Sequence, residues 1–294
     1  MTDYEFTGET DWEDVAASEG GIPEPMIADG SQESGRNWDL AKNHREILTS
    51  MIMASVNRNQ GDACLMGAGP CNDIELNPLI EHFNRVVLVD LDVASVERGM
   101  SRQGVLPDER QVQILGVDLA GVKDQLDVYA MYPTPELMEQ LNQIAEQHTP
   151  NLETGKFNVV ASVCMLSQLM FKVYQCLPER NEDFGRLMFN IRKRHIELML
   201  DCLCPGGVGL LITDFISSES LPEILTTHHL KQVVQKGIAE KNFFYGMNPQ
   251  TIHQTFREDS VSEQLESLEV TSPWRWPTTR RVYACLAFKF QKKS

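Results

Sequence analysis

The sequence predicts an α/β fold: an open, doubly wound, mostly parallel sheet finished by a C-terminal antiparallel hairpin. Short apolar runs alternate with helical patterns as far as residue 213, the first two runs frame a glycine turn and an aspartate, and two further strand patterns close the chain. Alternation of that kind needs crossover connections, and therefore parallel strands with helices on both faces.

Residues 1–36 are rich in Glu, Asp, Gly, Ser and Pro and poor in periodic apolar positions, so they cannot offset their ordering entropy alone. A flexible acidic segment is expected there, ahead of one domain over 37–294. From Trp38 to Val56 the apolar positions Trp38, Ala41, Ile47, Leu48, Met51, Ile52 and Val56 recur at three and four residues, predicting an amphipathic helix. Strands are expected at Ala63–Met66, Val86–Val89, Gln111–Val117, Phe157–Val163 and Val208–Thr213, the last entered from the turn Cys204-Pro205-Gly206-Gly207. Helices are expected at Ile74–His82, Val93–Gln103 and Pro135–His148. The hairpin strands are Leu268–Ser272 and Arg281–Phe290, separated by a Pro-rich turn at Trp274–Pro277, which makes a sheet of seven strands. Helical lid insertions are expected around 164–190 and 217–255.

The chain has 294 residues, 42% of them hydrophobic, enough for a full core in one large domain. A formal net charge of −16 argues against a surface that neutralises phosphates, so nucleic acid and anionic membrane are not expected partners. No run of about 18 apolar residues is present. The start of the chain is acidic where a secretory signal would be basic and then apolar, so a soluble, cytoplasmic protein is expected. The seven cysteines sit mostly in apolar strands (Cys64, Cys164, Cys285) and read as reduced core thiols. Cys202 and Cys204 lack a second pair at zinc-finger spacing, so no metal is expected.

The chemistry concentrates in Ala63-Cys64-Leu65-Met66-Gly67-Ala68-Gly69-Pro70-Cys71-Asn72-Asp73, followed by Val86-Val87-Leu88-Val89-Asp90. Glycines let backbone approach a ligand closely, and a carboxylate after the second strand can accept from both ribose hydroxyls. An adenosine-containing cofactor is the expected ligand. A strand-to-helix turn also carries two glycines for conformational reasons alone, and Asp118 after the third strand reads equally as a helix cap. A nicotinamide dinucleotide fold shares the spacing, but its third glycine position holds Asn72 here.

In these features the chain resembles the class I S-adenosylmethionine-dependent methyltransferases, over residues 60–215 and the terminal hairpin. The resemblance rests on the loop Met66–Cys71, on Asp90, on Asp118 in Gly116-Val117-Asp118-Leu119, on the fourth strand with its exit through Ser162 to Leu169, and on Pro205-Gly206-Gly207. It implies a Rossmann-like sheet and S-adenosyl-L-methionine as cofactor, with S-adenosyl-L-homocysteine as product. It further implies a cofactor site drawn from Gly67, Ala68, Gly69, Asp90, Leu91, Asp118, Leu119 and Ser162. The sequence departs from the family at Leu65, where an acid is usual, and at Cys71, where a glycine is usual; Asp73 or Arg45 would then serve the methionine end.

Methyl transfer from a sulfonium is driven by the cofactor, so few catalytic residues are required and none is assigned here. A small-molecule acceptor, methylated at N, O or S, is expected above strands four and five. Its lining would include Tyr245 and Trp274, with Phe243, Phe244 and Trp276 nearby, as core aromatics or as a cage for a cationic or planar group. The adjacent His228 and His229 point about 100° apart on a helix. His44, His195, Arg192-Lys193-Arg194 and Arg280-Arg281 read as polar, largely solvated positions. Two alternatives stay open, an NAD(P)-dependent oxidoreductase and a non-catalytic methyltransferase-like binding protein. The sequence leaves the oligomeric state open.

Overall fold

Burial along β1 (Asp62–Met66) sets the architecture: Ala63 and Leu65 point into one apolar cluster while Cys64 and Met66 point into another. A strand buried on both faces needs helices on both faces, as the continuous apolar runs imply. The structure, a computed structural model, describes residues 37–58, 60–106, 111–152 and 155–294; the segment 1–36 lies outside them.

Among the described residues, helix α1 (Lys42–Met53) precedes β1, and α2 (Leu76–His82) leads to β2 (Arg85–Asp90). Next come α3 (Val93–Arg102), β3 (Val112–Gly116), α4 (Lys123–Met131), α5 (Pro135–Gln147) and β4 (Phe157–Val163). Helices α6 (Met165–Cys176) and α7 (Phe184–Cys202) follow, then the long β5 (Leu203–Ser217). A 3₁₀ turn (Pro222–Leu225), α8 (Leu230–Ala239), α9 (Pro249–Thr255) and α10 (Asp259–Ser262) lead to β6 (Leu265–Val270), β7 (Trp274–Pro277) and β8 (Val282–Lys292).

The sheet runs β3-β2-β1-β4-β5-β8-β6, with β7 paired to β8 outside that path. The five strands from β3 to β5 are parallel; β8 is antiparallel to β5 and to β6. This is the expected seven-strand path with an eighth short strand added. The chain starts at the centre, builds outward to β3, and returns to the other side at β4, so the order reverses between β1 and β4. At such a reversal the loops above the strand ends diverge and leave a crevice.

Three local expectations are corrected. Trp274–Pro277 forms a strand rather than a turn, pairing Trp274 with Cys285 and Pro277 with Val282. Trp274 and Trp276, two residues apart, share a face and both pack on the His44 ring. Pro277 ends the strand, where its missing N–H costs nothing. The predicted turn at Cys204–Gly207 lies inside β5: Phe157 pairs with Leu203 and Val159 already with Val208, so the extra residues bulge out, with Gly206 at φ 74°. Finally, β5 continues past Thr213 to Ser217 across a second irregularity between Asp214 and Ile216.

Candidate functional site

The glycine turn is fastened to the end of β2. The Gly67 and Ala68 amides both donate to the Val89 carbonyl, at 2.9 and 3.2 Å. The Gly69 amide donates to Asp90 Oδ2 at 2.8 Å, and the Asp92 amide to Asp90 Oδ1 at 2.9 Å. Positive φ at Gly67 (76°) and Gly69 (46°) lets the backbone make this bend. A Cβ on Gly67 would lie 2.7 Å from Met165 Cβ, whereas one on Gly69 would have nothing within 4 Å. The turn therefore packs tightly on α6 at one glycine and presents bare backbone to open space at the other.

That open space is a cavity of about 420 Å³ above the strand ends. Gly69, Pro70 and Asp90 wall it from the β1 and β2 side, and Cys164, Ser167, Gln168 and Phe171 from the start of α6. Trp276 and the hairpin segment Thr278–Arg281 close the third side, with Asp73 and Asp214 also on the lining. Cys71 (φ 51°) and Cys164 (φ 47°) both hold the left-handed conformation that non-glycine residues rarely adopt, one on each side of the crevice.

Asp214 is 1% exposed, and its Oδ1 accepts the Ser167 hydroxyl at 2.7 Å. Burial pushes its pKa up to about 6, the Ser167 bond pulling the other way. Asp73 is pushed up to about 7, first by burial and then by the charge of Asp214. His44, with no exposed surface, accepts the Trp274 indole N–H at Nδ1 (3.0 Å) and turns Nε2 toward Asp73 Oδ1 at 3.7 Å. Burial, with Arg45 beside it, lowers its pKa to about 3, so it is neutral.

Of the predicted cofactor residues, the structure brings Gly69 and Asp90 to the cavity wall. Gly67 and Ala68 support it from behind, and Leu91 stands half exposed next to Asp90. Asp118 faces its own loop: Oδ1 accepts from the Ala120 and Gly121 amides and Oδ2 from Lys123 N. Leu119 is in the core, and Ser162 is buried against His195 Nε2 at 2.8 Å. Tyr245 stacks on Tyr174 and bonds the Glu179 carboxylate, and Trp274 sits behind Trp276, on His44.

Arg45 is held by Glu75 (Nε to Oε1, 2.8 Å) with its guanidinium over the Trp38 ring, and does not line the cavity. Four polar positions expected to be solvated are buried instead: His44, His195, Arg281 and Arg192, the last with Nε on Thr255 Oγ1 and Nη1 on the Gly246 carbonyl. His44, His195 and Arg192 lie on helices covered on more than one side, which helical spacing alone does not reveal, and Arg281 lies just before β8, paired with Glu219. Asp214 was missed by sequence reasoning, though the signal was an acid within the apolar run Leu210-Leu211-Ile212-Thr213-Asp214; Ser167 lies in the strand-four exit that carried the resemblance, without a role of its own there. Among the described residues no cluster of three or more His, Cys, Asp or Glu could hold a metal, and no helix is long and apolar enough to cross a membrane.

No family model matches the sequence, and no curated protein is significantly similar to it. Among solved structures, the chain is similar to the N-methyltransferase NodS from Bradyrhizobium japonicum WM9 in complex with S-adenosyl-L-homocysteine, at a TM-score of 0.46 and 12% identity over 96% of this chain and 98% of that one. It is similar to magnesium protoporphyrin IX methyltransferase ChlM from Synechocystis PCC 6803 with bound S-adenosyl-L-homocysteine, at 0.46 and 12% over 96% and 93%. An rRNA methylase from Streptococcus thermophilus scores 0.42, at 10% identity over 85% of this chain and 97% of that one.

Proposed function

We propose that the chain binds S-adenosylmethionine in the cavity above β1, β2 and β4 and transfers its methyl group to a small-molecule acceptor at N, O or S. The observation that carries this reading is Asp90, a carboxylate on the cavity wall held at both oxygens by the backbone amides of Gly69 and Asp92. Each carboxylate oxygen has about two acceptor sites, so a ribose diol can still donate to both. The bare face of Gly69 leaves room for a nucleoside that any side chain would fill. The donor set and the cradle thus fit the cofactor that the sequence resemblance implies.

Bound there, the cofactor supplies an electrophilic methyl group with a neutral thioether as leaving group. The chain's own contribution is alignment and the exclusion of water. Asp90 fixes the sugar, Gly67 and Ala68 hold the turn that carries Gly69, and Leu91 offers an apolar face beside the ribose position. Trp276 and Phe171 cover the remaining apolar wall.

Isothermal titration with S-adenosyl-L-homocysteine tests the reading. Wild type is expected to bind, and Asp90→Ala to weaken binding by about 2 kcal/mol, roughly thirtyfold, through loss of charge-assisted hydrogen bonds. No heat at millimolar ligand would overturn it, and an unchanged affinity in Asp90→Ala would move the sugar elsewhere.

A further inference from the structure

We propose that Asp214 and Asp73 form a cation subsite for the methyl acceptor, and that the acceptor is therefore an amine, seated on Asp214 between Phe171 and Trp276. This rests on the methyl-transfer reading above and adds the substrate class to it.

Position separates the pair from the sugar-binding corner. Asp90 ends β2 and Asp214 lies at the irregular end of β5, three strands along in the order β2-β1-β4-β5. Three strand spacings are about 14 Å, so one ribose cannot occupy both carboxylates. The β5 irregularity directly follows Asp214, which still pairs with Cys285 while Phe215 is passed over, and such a shift bends a strand beside a site.

Charge decides what the cavity accepts. Its lining holds four carboxyl groups, Asp73, Asp90, Asp92 and Asp214, against the guanidinium groups of Arg280 and Arg281; Arg281 already pairs with Glu219 at 3.3 Å and Asp92 with Arg98 at 3.8 Å, which leaves three carboxyl groups facing Arg280. A walled crevice lined mainly by one sign focuses field and concentrates the opposite charge. Two aromatic side chains on the lining, Phe171 from the α6 side and Trp276 from the hairpin side, add apolar surface for the carbon body of an amine.

A second observation concerns the pairing of Asp73. Asp73 Oδ1 is buried without a hydrogen-bond partner, and His44 Nε2, on a side chain with no exposed surface, is also unpartnered, 3.7 Å away. With Nδ1 accepting from Trp274, the neutral ring carries its proton on Nε2, so this N–H faces Asp73 Oδ1 from beyond hydrogen-bond distance and leaves the carboxyl charge for a cation on the cavity side to offset. An ammonium brings up to three donors, whereas an alcohol brings one and a carboxylate none.

The chemistry balances. The acceptor ammonium gives one proton to the Asp214 carboxylate; the freed nitrogen lone pair forms the N–C bond as the methyl C–S bond breaks and its electron pair returns to sulfur. The products are the N-methylated ammonium, a neutral thioether and one proton, which leaves Asp214 to solvent. A carboxyl whose pKa burial has lifted to about 6 is a better proton acceptor for this step than an ordinary aspartate.

The test is isothermal titration of 2-phenylethylamine and 2-phenylethanol into the full chain, with and without S-adenosyl-L-homocysteine. The amine is expected to bind at least about tenfold more tightly than the alcohol. Asp214→Asn, which keeps an acceptor for Ser167, is expected to abolish that preference while leaving S-adenosyl-L-homocysteine affinity within about twofold of wild type. Asp73→Asn serves as an independent variant with the same expected loss of preference; a large loss of S-adenosyl-L-homocysteine affinity there would assign Asp73 to the methionine end of the cofactor and overturn its place in the subsite. Equal affinity for amine and alcohol, no measurable amine binding, or a preference that survives both substitutions would overturn the proposal. A large loss of S-adenosyl-L-homocysteine affinity in Asp214→Asn would also overturn it, by assigning the carboxyl to the cofactor. Failure of S-adenosyl-L-homocysteine to bind wild type is a separate result: it removes the methyl-transfer reading, while the amine preference is still read on the protein alone.

Discussion

Asp214 is ionised at neutral pH in surroundings that oppose its charge. Burial and its neighbour Asp73 face it from one side, Ser167 donates to it from α6, and His44 beyond Asp73 stays neutral. An unfolded chain releases this proton near the ordinary value of 3.8, the folded one near about 6. Between those values the folded state binds more protons, so this group's effect on stability worsens as pH rises through the window and is complete above it. Asp214→Asn is therefore expected to stabilise the fold by on the order of 2 kcal/mol at about pH 8 and by little near pH 4. His44, lowered to about 3, and His195, lowered to about 4, act in the opposite sense below 6.5, but they are common to both proteins and cancel in the comparison. Urea unfolding at the two pH values checks it; an equal gain at both would mean that Asp214 is not a charged group in a buried place. Asp90 was legible in the sequence because an apolar strand stops on it. Asp214 was not, because Phe215 and Ile216 carry the apolar pattern on past it.

The element that matters most to the site after the strands is α3, because its Gly99 backs onto the glycine turn. A Cβ there would lie 2.2 Å from the Pro70 carbonyl oxygen, which is backbone and cannot swing aside. Alanine favours a helix over glycine by about 1 kcal/mol, so Gly99→Ala would stabilise α3 taken alone. In the protein it must displace the turn that delivers the Gly69 amide to Asp90. The expected result is a loss of S-adenosyl-L-homocysteine affinity of about tenfold or more with a folded circular dichroism spectrum. Unchanged affinity would show that the turn's position is irrelevant to binding. Elements of strong period were legible: the predicted boundaries of α3, α5 and β4 lie within a residue of those observed. Helix α4, which buries only Leu126 and Tyr129, gives too thin a stripe to be read, and β7 was hidden by the turn-forming look of its Trp-Arg-Trp-Pro sequence.

At the scale of the whole molecule, two apolar clusters clamp the sheet from both sides, and the cavity opens where the strand order reverses. Residues on that cavity come from β2, α6, β5 and the β7–β8 hairpin, so a ligand that bridges them ties distant parts of the chain together. Ligand that binds the folded state alone raises stability by mass action, by about 2.7 kcal/mol at one hundred times the dissociation constant. For a chain of this size each kcal/mol moves the melting temperature by about 2–4 °C, so saturating S-adenosyl-L-homocysteine is expected to raise it by about 5–10 °C. Asp90→Ala, weakened roughly thirtyfold, keeps only about 0.9 kcal/mol at the same ligand concentration, a shift of about 2–4 °C. Scanning both proteins with this ligand and with NADH separates the nucleotide readings. A shift produced by NADH and not by S-adenosyl-L-homocysteine would assign the Asp90 corner to a nicotinamide dinucleotide, because the fold and the carboxylate would be the same and only the ligand beyond the ribose would differ.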